Sequence, residues 1–285
     1  MGCILWSVPG GKVAVQRLDA NGALTSTVVH SAGPGWSVVN YSAQKLVWRH
    51  TTGKVSIWHL NYAGTTWSTT EIPAMTDWSI VNYWGQYFRP VPVGGPEPMG
   101  SAETYGRIIW RHRNGTISIW DVDHMCKQKS AKEWGLNTVW TPVHYQFNRL
   151  LWTHPDRRIS LWNLRIETFI GDYVEHGPFD GWQVVNFSSS DTTAFNLLWK
   201  HDDGRVSLWK MDSMGTQTSY KEYGPFGGWR VINQEGDRLL WQHDNGTISL
   251  WFLNADLSQH HYIERAPEPG WVALRYSKWM FGQAE

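Results

Sequence analysis

The sequence predicts an all-β protein, a six-bladed β-propeller with four antiparallel strands per blade. Three observations predict it: one Trp-punctuated unit occurs six times, each unit carries a hairpin signal, and no segment shows helical periodicity with caps. In each unit one Trp is followed thirty residues later by another, without insertion or deletion. The six pairs are Trp6 and Trp36, Trp48 and Trp78, Trp110 and Trp140, Trp152 and Trp182, Trp199 and Trp229, and Trp241 and Trp271. The period of about 42 residues is typical of propellers, with an all-β solenoid as the alternative.

The first two strands of each unit are predicted from a hairpin signal. In the best preserved unit, two β-rich runs flank Asn245-Gly246, and both of these residues tolerate positive φ. A two-residue loop at this point pairs Trp241 with Leu250 and puts Trp251 on the opposite face of the sheet. The same turn position is occupied by Asn114-Gly115, Asp203-Gly204, Thr52-Gly53 and Gly10-Gly11, and only Asp156-Arg157 departs from the pattern.

The third and fourth strands follow in each unit. The third alternates in character, as in Tyr262-Ile-Glu264, and a Gly/Pro turn then leads to a fourth, as in Trp229-Arg-Val-Ile-Asn233. Four short antiparallel strands in one repeat match the size of a propeller blade.

We expect a single domain over residues 1–285. The approximate repeats are 3–42, 43–84, 105–147, 148–188, 194–235 and 236–277. A Pro/Gly-rich insertion, 85–106, is expected between blades 2 and 3, on the side where one blade passes to the next. The C-terminal run around Tyr276 overlaps in register with Ile4 and Leu5, so one of the two is expected to lie outside the regular ring.

The pattern Leu-Leu-Trp-x-His-x-x-Gly-x-Ile-Ser-Leu-Trp, followed by Gly-Trp-x-Val-Val, resembles the FG-GAP/VCBS class of Trp-rich propeller repeats over residues 4–277. The resemblance implies a propeller similar to propeller lectins and to cell-surface adhesion proteins. In that class the connection between blades carries an Asp-x-Asn-x-Asp-Gly calcium loop. Here the corresponding segments, 40–45 and 233–238, have too few oxygen ligands, so we expect no calcium and no other cofactor.

Composition limits the partners and the location. Lys plus Arg and Asp plus Glu both number 25 and the basic residues are scattered, which argues against nucleic acid as the partner. The two cysteines, Cys3 and Cys126, are expected to be free thiols. Neither a signal peptide nor a membrane-spanning run is apparent, so we expect no membrane insertion and a soluble protein that is cytoplasmic or released without a signal peptide.

Histidine recurs two residues after the first Trp of five units, at His50, His112, His154, His201 and His243. Because residues spread around a ring cannot converge on one metal ion, we expect these imidazoles to be structural, each hydrogen-bonded to the adjacent blade. No catalytic motif is present, and no catalytic or metal-binding residue is predicted. An enzyme with one central site stays open as an alternative, and its candidate residues are Asp121, Asp123, His124 and His144.

The candidate ligand-binding residues combine aromatic faces with amides. The second hairpin Trp recurs as Trp58, Trp120, Trp162, Trp209 and Trp251, and the fourth strand closes on Asn40, Asn82, Asn186 and Asn233. An indole face that packs on C–H groups beside amides that fix hydroxyls is the combination that holds a sugar. Packing between blades is the competing interpretation of the same tryptophans.

The repetition of such pockets favours a multivalent carbohydrate-binding lectin without catalysis, with glycans or glycoconjugates as partners. A protein-interaction scaffold is the second hypothesis, and the central-site enzyme is the third. If the chain forms a homo-oligomer, the 85–106 loop or the C-terminal tail is the expected contact.

Overall fold

The structure is a computed structural model that describes residues 1–61, 63–85, 106–135, 139–164, 171–189 and 194–278. These residues form six four-stranded antiparallel sheets, the blades of a β-propeller, and contain no helix. The predicted fold class is therefore confirmed. Among the described residues there is no helix that is long and apolar enough to cross a membrane.

The blades are numbered by their central hairpins. Blade 1 contains β1 (Gly2–Val8), β2 (Lys12–Leu18) and β3 (Leu24–Ser31), together with a strand from the end of the chain. Blade 2 contains β4 (Trp36–Ser42), β5 (Lys45–His50), β6 (Val55–Leu60) and β7 (Thr66–Ile72). Blade 3 contains β8 (Trp78–Gly85), β9 (Gly106–His112), β10 (Ile117–Val122) and β11 (Gln128–Trp134). Blade 4 contains β12 (Thr141–Gln146), β13 (Arg149–Thr153), β14 (Ile159–Asn163) and β15 (Tyr173–His176). Blade 5 contains β16 (Trp182–Ser189), β17 (Ala194–His201), β18 (Val206–Asp212) and β19 (Gln217–Tyr223). Blade 6 contains β20 (Trp229–Glu235), β21 (Arg238–His243), β22 (Ile248–Leu253) and β23 (Gln259–Arg265), and β24 (Val272–Lys278) completes blade 1.

The chain divides into two compact units, one with blades 1, 4, 5 and 6 and the other with blades 2 and 3. Within the first unit, β12, β16, β20 and β24 contact one another in succession, and within the second β4 contacts β8. The buried residues of first strands such as β4, β16 and β20 lie in the second half of each strand, whereas last strands such as β19 and β23 are mostly exposed. Each sequence repeat therefore supplies three strands to one blade and its fourth strand to the next.

The strand pairing corrects the predicted place of the 85–106 insertion. Strand β8 pairs directly with β9, so the 85–106 insertion joins two strands of blade 3 rather than two blades. Residues 86–105 themselves lie outside the described residues, as does the tail after residue 278, so the predicted oligomer contacts are not described.

The C-terminal strand also lies inside the fold. Strand β24 pairs with β1, with Ile4 opposite Tyr276, and supplies the first strand that blade 1 lacks. The prediction that one of these two segments lies outside the regular ring is wrong. Burial drives the pairing, because Ile4, Trp6 and Tyr276 belong to one core cluster with Leu240 and Leu250 of blade 6.

The hairpin turn differs from the predicted two-residue loop. In blade 6 the amide of Gly246 donates to the carbonyl of His243 at 2.8 Å, and the amide of His243 donates to the carbonyl of Thr247 at 2.8 Å. Gly246 has a φ of 91°, whereas Asn245 is not among the residues of positive φ. This is a type I turn followed by a left-handed residue, the usual three-residue hairpin.

The longer turn shifts the register by one residue. Trp241 lies opposite Ser249, and Leu240 lies opposite Leu250. Because side chains alternate between the two faces of a sheet, Trp241 and Trp251 share one face. The sequence prediction, which paired Trp241 with Leu250 and separated the two tryptophans, is wrong on this point.

A buried histidine connects blades 2 and 3 within their unit. His59 Nε2 lies 2.9 Å from Thr70 Oγ1, and that hydroxyl donates to the carbonyl of Met125 at 2.6 Å. Since the hydroxyl proton is used, Nε2 is the donor to Thr70. Burial, followed by the nearby charges of Lys45 and His124, lowers the pKa of His59 to about 4.

This pKa predicts an acid-sensitive fold. Between about pH 6.5 and about 4 the unfolded chain protonates His59 and the folded chain does not, so the free energy of unfolding falls as the pH falls through that window. His59→Gln removes the titration and should flatten the pH dependence measured by urea unfolding. His260→Gln, on an exposed residue of β23, is the control and should follow the wild-type curve. Identical slopes for wild type and His59→Gln would contradict the assignment.

Candidate functional site

Blade 6 carries an open pocket of about 470 Å³. It is lined by Pro225, Phe226, Gly227, Trp229, Trp241, Ser249, Trp251, Gln259, Tyr262 and Glu264. The loop before β20 supplies the first three residues, and the strands of blade 6 supply the rest. Five of the ten lining residues are aromatic, and the polar residues stand among them, which is the composition of a small-molecule or side-chain binding site.

The aromatic wall follows from the register of the blade. The rings of Trp241 and Trp251 pack with centroids 5.0 Å apart, and Phe226 contacts both edge-on at 5.6 and 5.7 Å. Tyr223, from β19 of blade 5, packs edge-on against Trp251 at 5.3 Å. The pocket therefore lies along the cleft between blades 5 and 6, which belong to the same unit.

Trp229 is oriented by a histidine and a glycine. The ring of His243 packs on Trp229 at 5.1 Å, and a Cβ at Gly228 would lie 2.5 Å from His243 Nε2. Gly228 also has a φ of 75°, so a side chain at this position is excluded both by space and by conformation. Glycine is thus required for the imidazole to lie against the indole.

Polar groups in the pocket are left without partners. The Ser249 hydroxyl is buried and has no hydrogen-bond partner among the described residues, and the same holds for the buried Nε1 of Trp241. Glu264, opposite Ser249 in β23, is exposed and makes no ion pair within the described part of the chain. A buried hydroxyl without a partner costs free energy unless water or a ligand satisfies it.

The serine equivalent to Ser249 is bonded to the second tryptophan in blades 2, 4 and 5, whereas Nε1 of the first tryptophan has no partner among the described residues in blades 2 to 5 either. Trp58, Trp162 and Trp209 donate from Nε1 to Ser56, Ser160 and Ser207 at 3.0, 3.0 and 3.1 Å. Ser56 in turn donates to Glu71 at 2.5 Å. In blade 1, Gln16 replaces the second tryptophan and accepts from Trp6 Nε1 at 2.9 Å. The Ser249 hydroxyl is thus without a partner where the serines of blades 2, 4 and 5 accept from an indole.

All five predicted tryptophans occupy equivalent positions. Each is half-buried and packs on the first Trp of its hairpin, with centroids between 5.0 and 5.3 Å apart. The set is Trp58, Trp120, Trp162, Trp209 and Trp251. Packing and exposure are thus combined in the same residues, and of the five only Trp251 lines the pocket described above.

The structure does not bring the predicted asparagines to these tryptophans. Asn40, Asn82, Asn186 and Asn233 are at most 8 % exposed and lie at β-bulges in the first strands. Asn233 donates from Nδ2 to the Tyr276 carbonyl at 2.9 Å and accepts from the Tyr276 amide at 2.8 Å. Asn186 bonds the backbone of Gln234 in the same way, and Asn40 donates to the carbonyl of Tyr83 at 2.6 Å. Their amides join the first strands of neighbouring blades.

The five recurring histidines stabilise their own turns. In each, Nδ1 accepts a backbone amide two residues later, as from Asn245 to His243 at 3.2 Å. The predicted structural role is therefore observed, but the partner is the hairpin turn and not the adjacent blade.

Two of the candidate residues of the alternative enzyme, Asp121 and Asp123, are engaged in structural contacts. Asp121 pairs with Arg107 at 2.8 Å, and Asp123 accepts the amides of Met125 and Lys127 at 2.9 Å. His144 stands in blade 4 where other blades have the bridging asparagine, and burial holds its pKa well below the usual value. Within the described part of the chain no group of three or more His, Cys, Asp or Glu residues could hold a metal ion.

Sequence reasoning missed Phe226, Ser249, Gln259 and Glu264 as pocket residues. Two features of the sequence indicate these residues. One is the serine that stands two residues before the second Trp, and the other is the pair of related runs Gly177-Pro178-Phe179 and Gly224-Pro225-Phe226. The register error hid them, because it placed Ser249 and Trp251 on the wrong face relative to Trp241.

Comparison with solved structures shows the propeller fold. Prp20p from Saccharomyces cerevisiae is similar at a TM-score of 0.51 and 10 % identity, covering 88 % of this chain and 70 % of that one. Raptor from Chaetomium thermophilum has a TM-score of 0.49 and 13 % identity, covering 93 % and 22 %. BamB from Moraxella catarrhalis has a TM-score of 0.37 and 14 % identity, covering 93 % and 73 %. No protein-family model and no curated protein sequence matches the chain.

The asparagine bridges predict a stability effect. Asn233→Ala leaves the buried amide and carbonyl of Tyr276 without partners, so the free energy of unfolding should fall by about 2 to 4 kcal/mol. Asn254→Ala, which removes an exposed hydrogen bond to Ser258, is the matched control and should change it by less than about 0.5 kcal/mol. Equal effects of the two variants in urea unfolding would show that the bridge does not stabilise the fold.

Proposed function

We propose that this propeller is a protein-interaction module and that the blade 6 pocket is its binding site. The observation that carries the proposal is the buried, unpartnered hydroxyl of Ser249 in an open pocket lined by five aromatic rings. Such a group is stabilised by a ligand that bonds to it, and the aromatic walls supply the contact area.

The surface around the pocket supports a protein partner. Tyr262, at the rim, is 55 % exposed, and Tyr220 and Tyr173 occupy the same position in blades 5 and 4 at 59 and 65 %. Tyrosine and tryptophan are enriched at protein interfaces, where they form many of the energetically dominant contacts. The Prp20p study concerns binding to Gsp1p and histones, so a protein of this fold binds proteins.

Carbohydrate binding is the second candidate function, and one observation favours it. Trp251 presents a half-buried indole beside Ser249, Gln259 and Glu264, which is the mixture of ring face and polar atoms that suits a sugar. A lectin of this kind relies on several similar pockets. The serines and tryptophans of blades 2, 4 and 5 are instead bonded to each other, so we place the protein partner first.

The test offers the purified chain a peptide-display library and a glycan array in parallel. We expect enrichment of peptides whose binding Tyr262→Ala weakens about tenfold, the effect of losing one well-packed aromatic contact. Tyr220→Ala, the same change in blade 5, is the matched control and should bind as the wild type does. Saccharide binding that depends on Tyr262 would favour the second candidate, and peptide binding that ignores Tyr262 would remove the pocket from the proposal.

A further inference from the structure

We infer that the blade 6 pocket accepts a guanidinium group, the side chain of an arginine on the partner. The inference rests on the proposed function, because it names the chemistry of the ligand at the same site. It is carried by blades 4 and 5, where the protein places its own arginine at the equivalent position.

Blade 5 shows the arrangement. The guanidinium of Arg205 lies over the ring of Trp182, 5.5 Å from its centroid, and 3.7 Å from the carboxylate of Glu222. Asp203, in the hairpin turn, holds the Arg205 Nε at 2.8 Å.

Blade 4 repeats it. Arg158 lies 5.5 Å from the centroid of Trp140, 3.2 Å from Glu175 and 2.8 Å from Asp156. Two blades therefore place a guanidinium between an indole face and a carboxylate of the last strand.

Blade 6 keeps the surroundings and lacks the cation. Trp229 and Glu264 correspond to Trp182 and Glu222, and both line the open pocket. Thr247 stands at the position of Arg205, and Asn245 stands at the position of Asp203. The short side chain of Thr247 cannot reach the indole, and the side-chain oxygen Oδ1 of Asn245 accepts from the backbone amide of Thr247 at 2.9 Å.

The chemistry of the pocket suits a guanidinium. The group has only donors, and Glu264 and the Ser249 hydroxyl offer acceptors that no described residue uses. An indole face attracts a cation within about 6 Å of its centroid, and arginine is the cation that most often stacks in this way.

Blade 3 shows why the threonine alone does not make the site. Thr116 stands at the same position, and Ser118 is likewise buried without a partner among the described residues. Its last strand, however, carries Ala131 opposite Trp120, where blade 6 has Tyr262 opposite Trp251. The outer aromatic wall is therefore present in blade 6 and absent from blade 3.

The test uses the full chain and two small probes, Nα-acetyl-arginine amide and its neutral isostere Nα-acetyl-citrulline amide. Binding is followed by the ¹⁵N–¹H signals of the indole Nε1 groups, with Trp251 assigned through Trp251→Phe. The arginine probe should shift the Trp251 signal, and the citrulline probe should bind at least about tenfold more weakly because it lacks the charge.

Two reciprocal substitutions, which exchange the arginine of blade 5 and the threonine of blade 6, make the test specific. Thr247→Arg supplies the guanidinium from within the chain and should abolish the shift at Trp251. Arg205→Thr opens blade 5 and should give the arginine probe a new site, reported by the Trp209 signal. In both variants the remaining indole signals show whether the fold is intact.

The inference is overturned if the citrulline probe binds as well as the arginine probe, or if Thr247→Arg binds like the wild type. Display-selected peptides that need Tyr262 but show no arginine preference would overturn it while leaving the proposed function in place. If neither the peptides nor the arginine probe reach the pocket, both fail.

Discussion

The structure depends on one conformational constraint, the left-handed residue that closes the hairpin of each blade. Gly246, Gly204, Gly115 and Gly53 take φ values near 90°, and Arg157 takes 73° in blade 4. A type I turn ending in such a residue fixes the pairing of the strands on either side, so it decides which side chains share a face. In blade 6 that register places the two stacked tryptophans and Ser249 on one face of the sheet, with Glu264 opposite Ser249.

The same register explains the high tryptophan content. The hairpins of blades 2 to 6 each pack two indoles on one face. In the same blades a third Trp packs on the histidine that accepts the turn amide, as Trp182 does on His201 at 4.9 Å. Turn, register and aromatic packing therefore stabilise one another within a blade. Trp is retained for packing in most blades, so its recurrence alone does not identify a binding site.

The period, the strand count and the fold class could be predicted from the sequence, because they follow from spacing alone. The register could not, since Asn245-Gly246 suits a two-residue loop as well as the observed turn. The role of Asn233 was hidden for a different reason: a bulge turns it toward Tyr276 of the next blade, and bulges leave no mark in a strand pattern. The position of β24 could not be predicted because its partner strand, β1, lies at the opposite end of the sequence.

A repeated fold offers a physical route to a single site. In blades 4 and 5 an arginine of the same blade pairs with the carboxylate of the last strand and lies over the indole of the first strand. The protein's own side chain therefore occupies this position in both blades. In blade 6 the arginine and its aspartate are replaced by Thr247 and Asn245, while the aromatic walls remain. The position in blade 6 therefore differs from that in blade 5 at two turn residues, whereas blade 3, which has the same two turn residues, lacks the tyrosine of the last strand. The indole pair that lines the blade 6 pocket has the same geometry as its equivalent in blade 5, with ring centroids 5.0 Å apart in both, so the difference between the two positions lies in polar groups and not in the aromatic packing.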